Sequence, residues 1–349
     1  MTAGAGPVRL GILGTGFISA VHTACAMRSH DVELVAVASA RGRATRERIG
    51  ELGPNVLLMT PDELLDSDDV EAVVVCSRTS EHAAHAVAVL SRGRHLLLEK
   101  PGATTVPGQQ LIADAAAQRP ELVAMVGYHR RHERRFCELA KQVSAGAIGE
   151  PFAVHLTSRE DYPPDEAGDA AAGGFIMDVG VHDFDTARWL LGSDPTSVFA
   201  HSHAPVYGEG GPDNVYITLA LGDAAATVHL SRTSRVGMDI RCEVVGTEGS
   251  AWIAERPVGG EAALLTAAVA DRFPDDCRDR FAEAYQQQMD AFGRACRGEL
   301  VAGATLEDDR WAVATAVAAR ASASRGEPLE VGPSWAWDSG VAPGLSTNG

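Results

Sequence analysis

Along the first third of the chain the apolar residues fall in short unbroken runs: Val8 to Leu13, Val32 to Ser39, Ala72 to Cys76, His95 to Leu98 and Leu122 to Gly127. Strands buried on both faces look like this, because neither face is left for polar residues. The stretches between them, Ile18 to Met27, Arg43 to Leu52, Glu81 to Arg92 and Gly108 to Ala117, are rich in alanine, acids and amides and predict helices. Strand and helix in strict turn imply a doubly wound parallel sheet. After Gly149 the pattern changes to alternation, in Asn214 to Leu221, Ala226 to Thr233 and Met238 to Gly246. In Asp239, Ile240, Arg241, Cys242, Glu243, Val244 the polar and apolar residues take opposite faces, the mark of an antiparallel sheet covered on one side only. The expected fold is therefore α/β, with a second α+β domain built on a large, mostly antiparallel open sheet. The predicted domains are residues 1–125 and 126–331, joined through a helix at Phe136 to Ser144, with a loose tail over 332–349.

Composition narrows the partners. The 349 residues carry 30 Lys plus Arg against 47 Asp plus Glu, a net charge of −17. Capture of nucleic acid or of an anionic membrane needs clustered positive charge and is excluded as a main activity. Hydrophobic residues at 45% and charged residues at 22% fit an ordinary globular protein. No secretion signal is read at the N-terminus, and no run of ~18 apolar residues occurs. The six cysteines form no C-x-x-C pair, so a reducing cytoplasm is the expected address. The half-exposed second sheet offers a face for self-association, and a homodimer or homotetramer is expected.

Candidate chemistry starts at Gly11, Gly14 and Gly16, in the string GILGTGFIS between the first strand and the first helix. Glycine allows a tight turn there and lets backbone approach a pyrophosphate, while the helix amides bind its charge. The third position of the pattern is Ser19, still small enough for close packing. This context predicts a Rossmann domain. An acid closing the second strand would favour NAD, but Ser39, Ala40, Arg41, Gly42, Arg43 stand there. Two guanidiniums can accept a 2′-phosphate, so either NAD or NADP is expected, with the charge leaning toward NADP.

A lysine directly after the fourth predicted strand, in Glu99-Lys100-Pro101, lies at the carboxyl edge of the sheet, where open α/β folds bind ligands. Further on, Asp178, His182 and Asp185 recur at intervals of four and three, so on a helix they share one face. Asp178 and His182 offer only two ligands, and His201 and His203 fall in an expected edge strand, so no metal is expected.

With these motifs the sequence resembles the glucose-fructose oxidoreductase, inositol dehydrogenase and rhizopine-catabolism family of NAD(P)-dependent oxidoreductases. The likeness rests on the turn at Gly14 and Gly16, on Glu99-Lys100-Pro101, and on Asp178-x-x-x-His182 preceded by Gly173-Gly174. Gly127-Tyr128-His129-Arg130-Arg131, Thr157-Ser158-Arg159 and Ala284-Tyr285 are most like the inositol dehydrogenases. The resemblance implies that hydride moves between a cyclitol ring hydroxyl and the nicotinamide. His182 would be the base, Asp178 would orient its ring or hold the hydroxyl, and Lys100 would stabilise the developing alkoxide. It further implies a cis bond before Pro101 and cofactor contacts at Phe17, Ile18, Ser77, His82 and Glu99, with substrate contacts at His129, Arg130, Arg159 and Tyr285, and against the charge argument it leans toward NAD. The rival readings are an aldose or amino-sugar dehydrogenase and a non-catalytic dinucleotide sensor.

Overall fold

The computed structural model describes residues 6–39, 52–53, 55–161, 173–208, 212–234, 237–253, 274 and 276–332. Arg41, most of the helix expected over Arg43 to Leu52, and the tail from Pro333 onward lie outside the described residues.

The first sheet holds β1 (Val8–Leu13), β2 (Val32–Ala38), β3 (Leu57–Met59), β4 (Ala72–Val75), β5 (His95–Leu98) and β6 (Ala124–Val126). All pairings are parallel, in the order β3-β2-β1-β4-β5-β6. That order reverses direction beside β1, which opens a crevice at the carboxyl ends of β1 and β4. Among the described residues four helices connect these strands: α1 (Phe17–Arg28), α2 (Pro61–Asp66), α3 (His82–Ser91) and α4 (Val106–Ala117). Every residue of β4 is buried, as a central strand of a doubly covered sheet must be.

The second sheet is built from β7 (Pro151–Arg159), β8 (Ser197–His203), β9 (Asn214–Leu221), β10 (Ala224–Ser231), β11 (Asp239–Gly246), β12 (Gly249–Ile253) and β13 (Leu329–Glu330). Its order is β12-β11-β7-β10-β9-β8-β13, antiparallel except where β10 runs parallel to β7. β8 is thus not an edge strand along its whole length, since Leu329 and Glu330 pair with Val198 and Ser197. One face is covered by α5 (Arg134–Ser144), α6 (Val181–Leu191) and, past α7 (Ala282–Cys296), by α8 (Leu306–Arg325). Burial alternates along β9 residue by residue, with Val215, Ile217, Leu219 and Leu221 facing those helices.

The two sheets share one apolar core, which runs from Val8 and Ile12 through Phe292 and Val313 to Val228 and Val244. Helix α7 packs on α1 and α8 on α4, so the two lobes meet along both flanks of a cleft. Among the described residues no helix is long and apolar enough to cross a membrane.

Candidate active site

Gly14 has φ +146°, and a side-chain carbon there would come 2.2 Å from the Cys76 carbonyl oxygen. Only glycine avoids that collision with backbone. A side-chain carbon at Gly16 would meet nothing within 4 Å, so this glycine leaves open space before the helix. Ser19 Oγ donates to the Gly14 carbonyl oxygen at 2.7 Å and ties the first turn of α1 to the loop. Gly16 caps α1 without a side-chain hydrogen bond, and the first turn carries no acid. Its amides and the positive end of its dipole therefore face that space, which fits the pyrophosphate of a dinucleotide. Ser39 is buried just past β2. After β4 come Ser77 and His82, whose Nδ1 lies 2.8 Å from the Pro101 carbonyl oxygen.

Glu99 follows β5 and is buried. Its Oε1 lies 2.6 Å from His22 Nε2, and its Oε2 accepts the Lys100 amide at 3.1 Å. The Lys100–Pro101 peptide is cis. Lys100 Nζ donates to Asp178 twice, to the carbonyl oxygen at 2.8 Å and to Oδ1 at 2.9 Å. Asp178 belongs to a π-helical turn, Ile176–Gly180, that runs straight into α6. Such turns break the regular ladder and often mark functional positions.

His182, in the first turn of α6, is 9% exposed, and its Nδ1 is buried without a partner among the described residues. Its ring stands 4.7 Å from that of His129 and meets Tyr128 edge-on at 5.8 Å. His129 packs in turn on Phe281 at 4.3 Å and on Tyr285 at 4.8 Å. These groups enclose a cleft of about 280 Å³, with Phe17, Ile18, Ser77, His82 and Glu99 along the same lining. Small-molecule sites begin at ~300 Å³, so the space suits one sugar-sized ring.

Three expectations are corrected. Arg159 is not brought to the cleft: along β7 it points to the open face, where its guanidinium bonds His229 and lies 3.6 Å from Asp239. Arg130 does border the cleft, with Nη1 donating to Asp183 at 2.7 Å, Nη2 donating to Ser158 at 2.8 Å, and a buried Nε without a partner among the described residues. Asp185 does not share the stripe of Asp178 and His182 as a cleft group, since Arg131 holds both its oxygens, at 2.7 and 3.0 Å. Asp178 bonds Lys100 rather than the imidazole of His182. Sequence reasoning also missed Glu160, Cys277 and Phe281, which line the cleft.

Residues 8–128 match the family model described as an oxidoreductase family with an NAD-binding Rossmann fold, and residues 136–252 match the GFO/IDH/MocA C-terminal domain. The chain belongs to the GFO/IDH/MocA oxidoreductase family. Inositol 2-dehydrogenase 1 of Saccharopolyspora erythraea is 32% identical to it, over 93% of this chain and 96% of the relative. The inositol 2-dehydrogenase of Rhizobium meliloti is 33% identical over 82% and 87%. The crystal structure of a myo-inositol dehydrogenase from Corynebacterium glutamicum superposes with a TM-score of 0.81 at 25% identity, covering 94% of this chain and 99% of that one.

The GFO/IDH/MocA cleft sets the charge states of its groups. Burial works against the Lys100 ammonium, but the charge and hydrogen bond of Asp178 outweigh it and hold the lysine above its ordinary value. Asp178 is lowered in return, first by the lysine charge. Burial, then the charge of Lys100, keeps His182 well below the usual histidine range. Burial and Arg130 do the same to His129. Near neutral pH the cleft presents one ammonium, held by a carboxylate, opposite two neutral imidazoles.

Proposed function

We propose that the chain oxidises a ring hydroxyl of a cyclitol, myo-inositol or a related inositol or aminocyclitol, to the ketone, and runs the reverse reaction on the same groups. The observation that carries this reading is the Lys100 ammonium, held at 2.8 and 2.9 Å by Asp178 beside the neutral His182, in one cleft that adjoins the glycine cradle. A bound dinucleotide supplies the hydride acceptor there. Gly14, Gly16, Phe17, Ile18, Ser39, Ser77, His82 and Glu99 are the residues assigned to hold it. Neutral His182 takes the hydroxyl proton as base, and its depressed pKa keeps it free to do so below pH 6.5. The Lys100 ammonium stabilises the charge that develops on the substrate oxygen. The second oxygen of Asp178 remains to orient the hydroxyl, and His129 and Tyr285 wall the ring. The names of the Saccharopolyspora erythraea and Rhizobium meliloti relatives, both inositol 2-dehydrogenases, support the cyclitol over an aldose.

Residues 1–125 serve the dinucleotide in this reading, and residues 126–331 serve the substrate and self-association as a homodimer or homotetramer. Six free cysteines support a reducing cytoplasm as its place. With Ser39 and no acid after β2, NADP is accepted at least as well as NAD. The test is a screen of inositols and aldoses with each dinucleotide, following nicotinamide absorbance. An inositol should be the best substrate, and Lys100→Ala should lower turnover by ~100-fold or more while dinucleotide affinity stays within about threefold. Inert inositols, or undiminished turnover without the lysine, would refute the reading.

A further inference from the structure

Glu160 stands immediately after β7, with its backbone fixed on both sides: its amide donates to the Ser231 carbonyl oxygen at 2.8 Å, and its carbonyl accepts the Ser234 amide at 3.0 Å. Its side chain lines the cleft with Lys100, Asp178 and Cys277. Every other charged group on that lining has a partner. Lys100 gives two hydrogen bonds to Asp178, Arg130 is held by Asp183 and Ser158, and Glu99 by His22 and the Lys100 amide. The Glu160 carboxylate has neither counter-ion nor hydrogen bond among the described residues. Burial, reinforced by Asp178, lifts its pKa to about 7, and the opposing pull of Lys100 and Arg130 does not restore it. A half-buried carboxylate without a partner gains from a cation that can also donate hydrogen bonds. The chain's own cations in the cleft are already engaged, so that cation must arrive with the ligand. The ring of an oxidised nicotinamide carries positive charge but has no N–H on its charged nitrogen, whereas an ammonium has three.

Resting on the cyclitol reading above, we propose that Glu160 recognises a protonated amino group on the substrate ring, so that the preferred substrate is an aminocyclitol. The neighbouring imidazoles of His129 and His182 are neutral and set no positive charge against it.

The experiment compares kcat/KM for amino-deoxy inositols, for their N-acetyl derivatives and for the parent inositols, in the wild-type protein and in Glu160→Gln. The wild type should favour the free amine over both neutral compounds by about tenfold or more, the effect of one charge-assisted hydrogen bond. In Glu160→Gln the ratio should fall to near one, whatever the absolute rates. Parity of the three compounds in the wild type overturns the proposal, and that comparison stands even if the variant does not fold. Selective loss of affinity for oxidised over reduced dinucleotide in Glu160→Gln would assign the carboxylate to the nicotinamide and overturn it as well. Should no inositol be oxidised, amino or plain, the proposed function falls. Calorimetric binding of amine against N-acetyl compound then still decides the role of Glu160.

Discussion

His129 and His182 face one another at 4.7 Å, and both are kept neutral by burial before anything else. Burial also lowers His82, and it brings His132 down to about 4. A histidine whose folded pKa lies below its unfolded value stabilises the fold above pH ~6.5 and gives that up as pH falls, at about 1.4 kcal/mol per unit. Glu160 and Asp309, raised to about 7 and about 6, act in the opposite direction, since they bind protons in the fold before they do in the unfolded chain. Seven described histidines are lowered in this way, against three raised acids. Acidification from pH 7 to pH 5 should therefore lower stability, read as a falling unfolding midpoint in denaturant. A midpoint unchanged over that range would mean that these rings are not neutral in the fold. At this scale the lysine, aspartate and histidine of the site were legible from motif and spacing. Arg159 points away from the cleft, and the period of β7 already implies it. Val154, Leu156 and Ser158 alternate along β7, and the same parity gives Glu160, not Arg159, to the covered side.

Helix α8, which the sequence reading passed over, connects the lobes. Its start is signalled by a capping box between Thr305 and Asp308, and its end by the left-handed Gly326. One turn in, fully buried Asp309 accepts three hydrogen bonds, two from the other lobe and one from Tyr128. Gly102 donates at 2.9 Å and Gln109 at 2.5 Å to one oxygen, and Tyr128 donates at 2.7 Å to the other. Gly102 lies two residues after Lys100, and Tyr128 stands edge-on to His182. The carboxylate thus fixes the backdrop of both groups without touching the cleft. Asp309→Ala would leave three buried donors unsatisfied and should cost ~3–5 kcal/mol, with turnover reduced by ~10-fold or more. Asp309→Asn should retain most of both, because its oxygen can serve Gly102 and Gln109 while its amide donates to the Tyr128 oxygen. Thermal unfolding and kcat of the pair test this, and equal damage from both variants would show that space, not hydrogen bonding, matters there. The elements missed by sequence have physical excuses. β3 spans three residues, α2 spans six, and β7 opens on proline and carries histidine and threonine on its outer face, which hides its period.

Among the described residues the outer face of the seven-stranded sheet is a broad surface without cover. Register places Trp252, Glu243, His155, Thr227, Thr218 and Phe199 side by side across six strands. The adjacent row carries Arg241, Thr157, His229, Tyr216 and His201, with Tyr216 stacked on His229 at 4.3 Å. Trp252, Tyr216 and Phe199 are 57%, 49% and 39% exposed, so aromatic surface is spread over the width of the sheet between polar groups that can hydrogen-bond. Monomers seldom leave so much aromatic area in contact with water, and interfaces are enriched in just these residues. This face is expected to pair with its own copy about a two-fold axis, where each patch would meet the same patch. Light scattering coupled to gel filtration at micromolar concentration should give a mass of at least two chains. Paired Phe199→Glu and Trp252→Glu changes should shift it toward one chain, because four carboxylates would then meet across a buried surface. The active-site cleft opens on the other side of the sheet, so Lys100 and His182 are not disturbed by the charges themselves. A wild-type protein that runs as a single chain at that concentration would show that the open face is merely solvated.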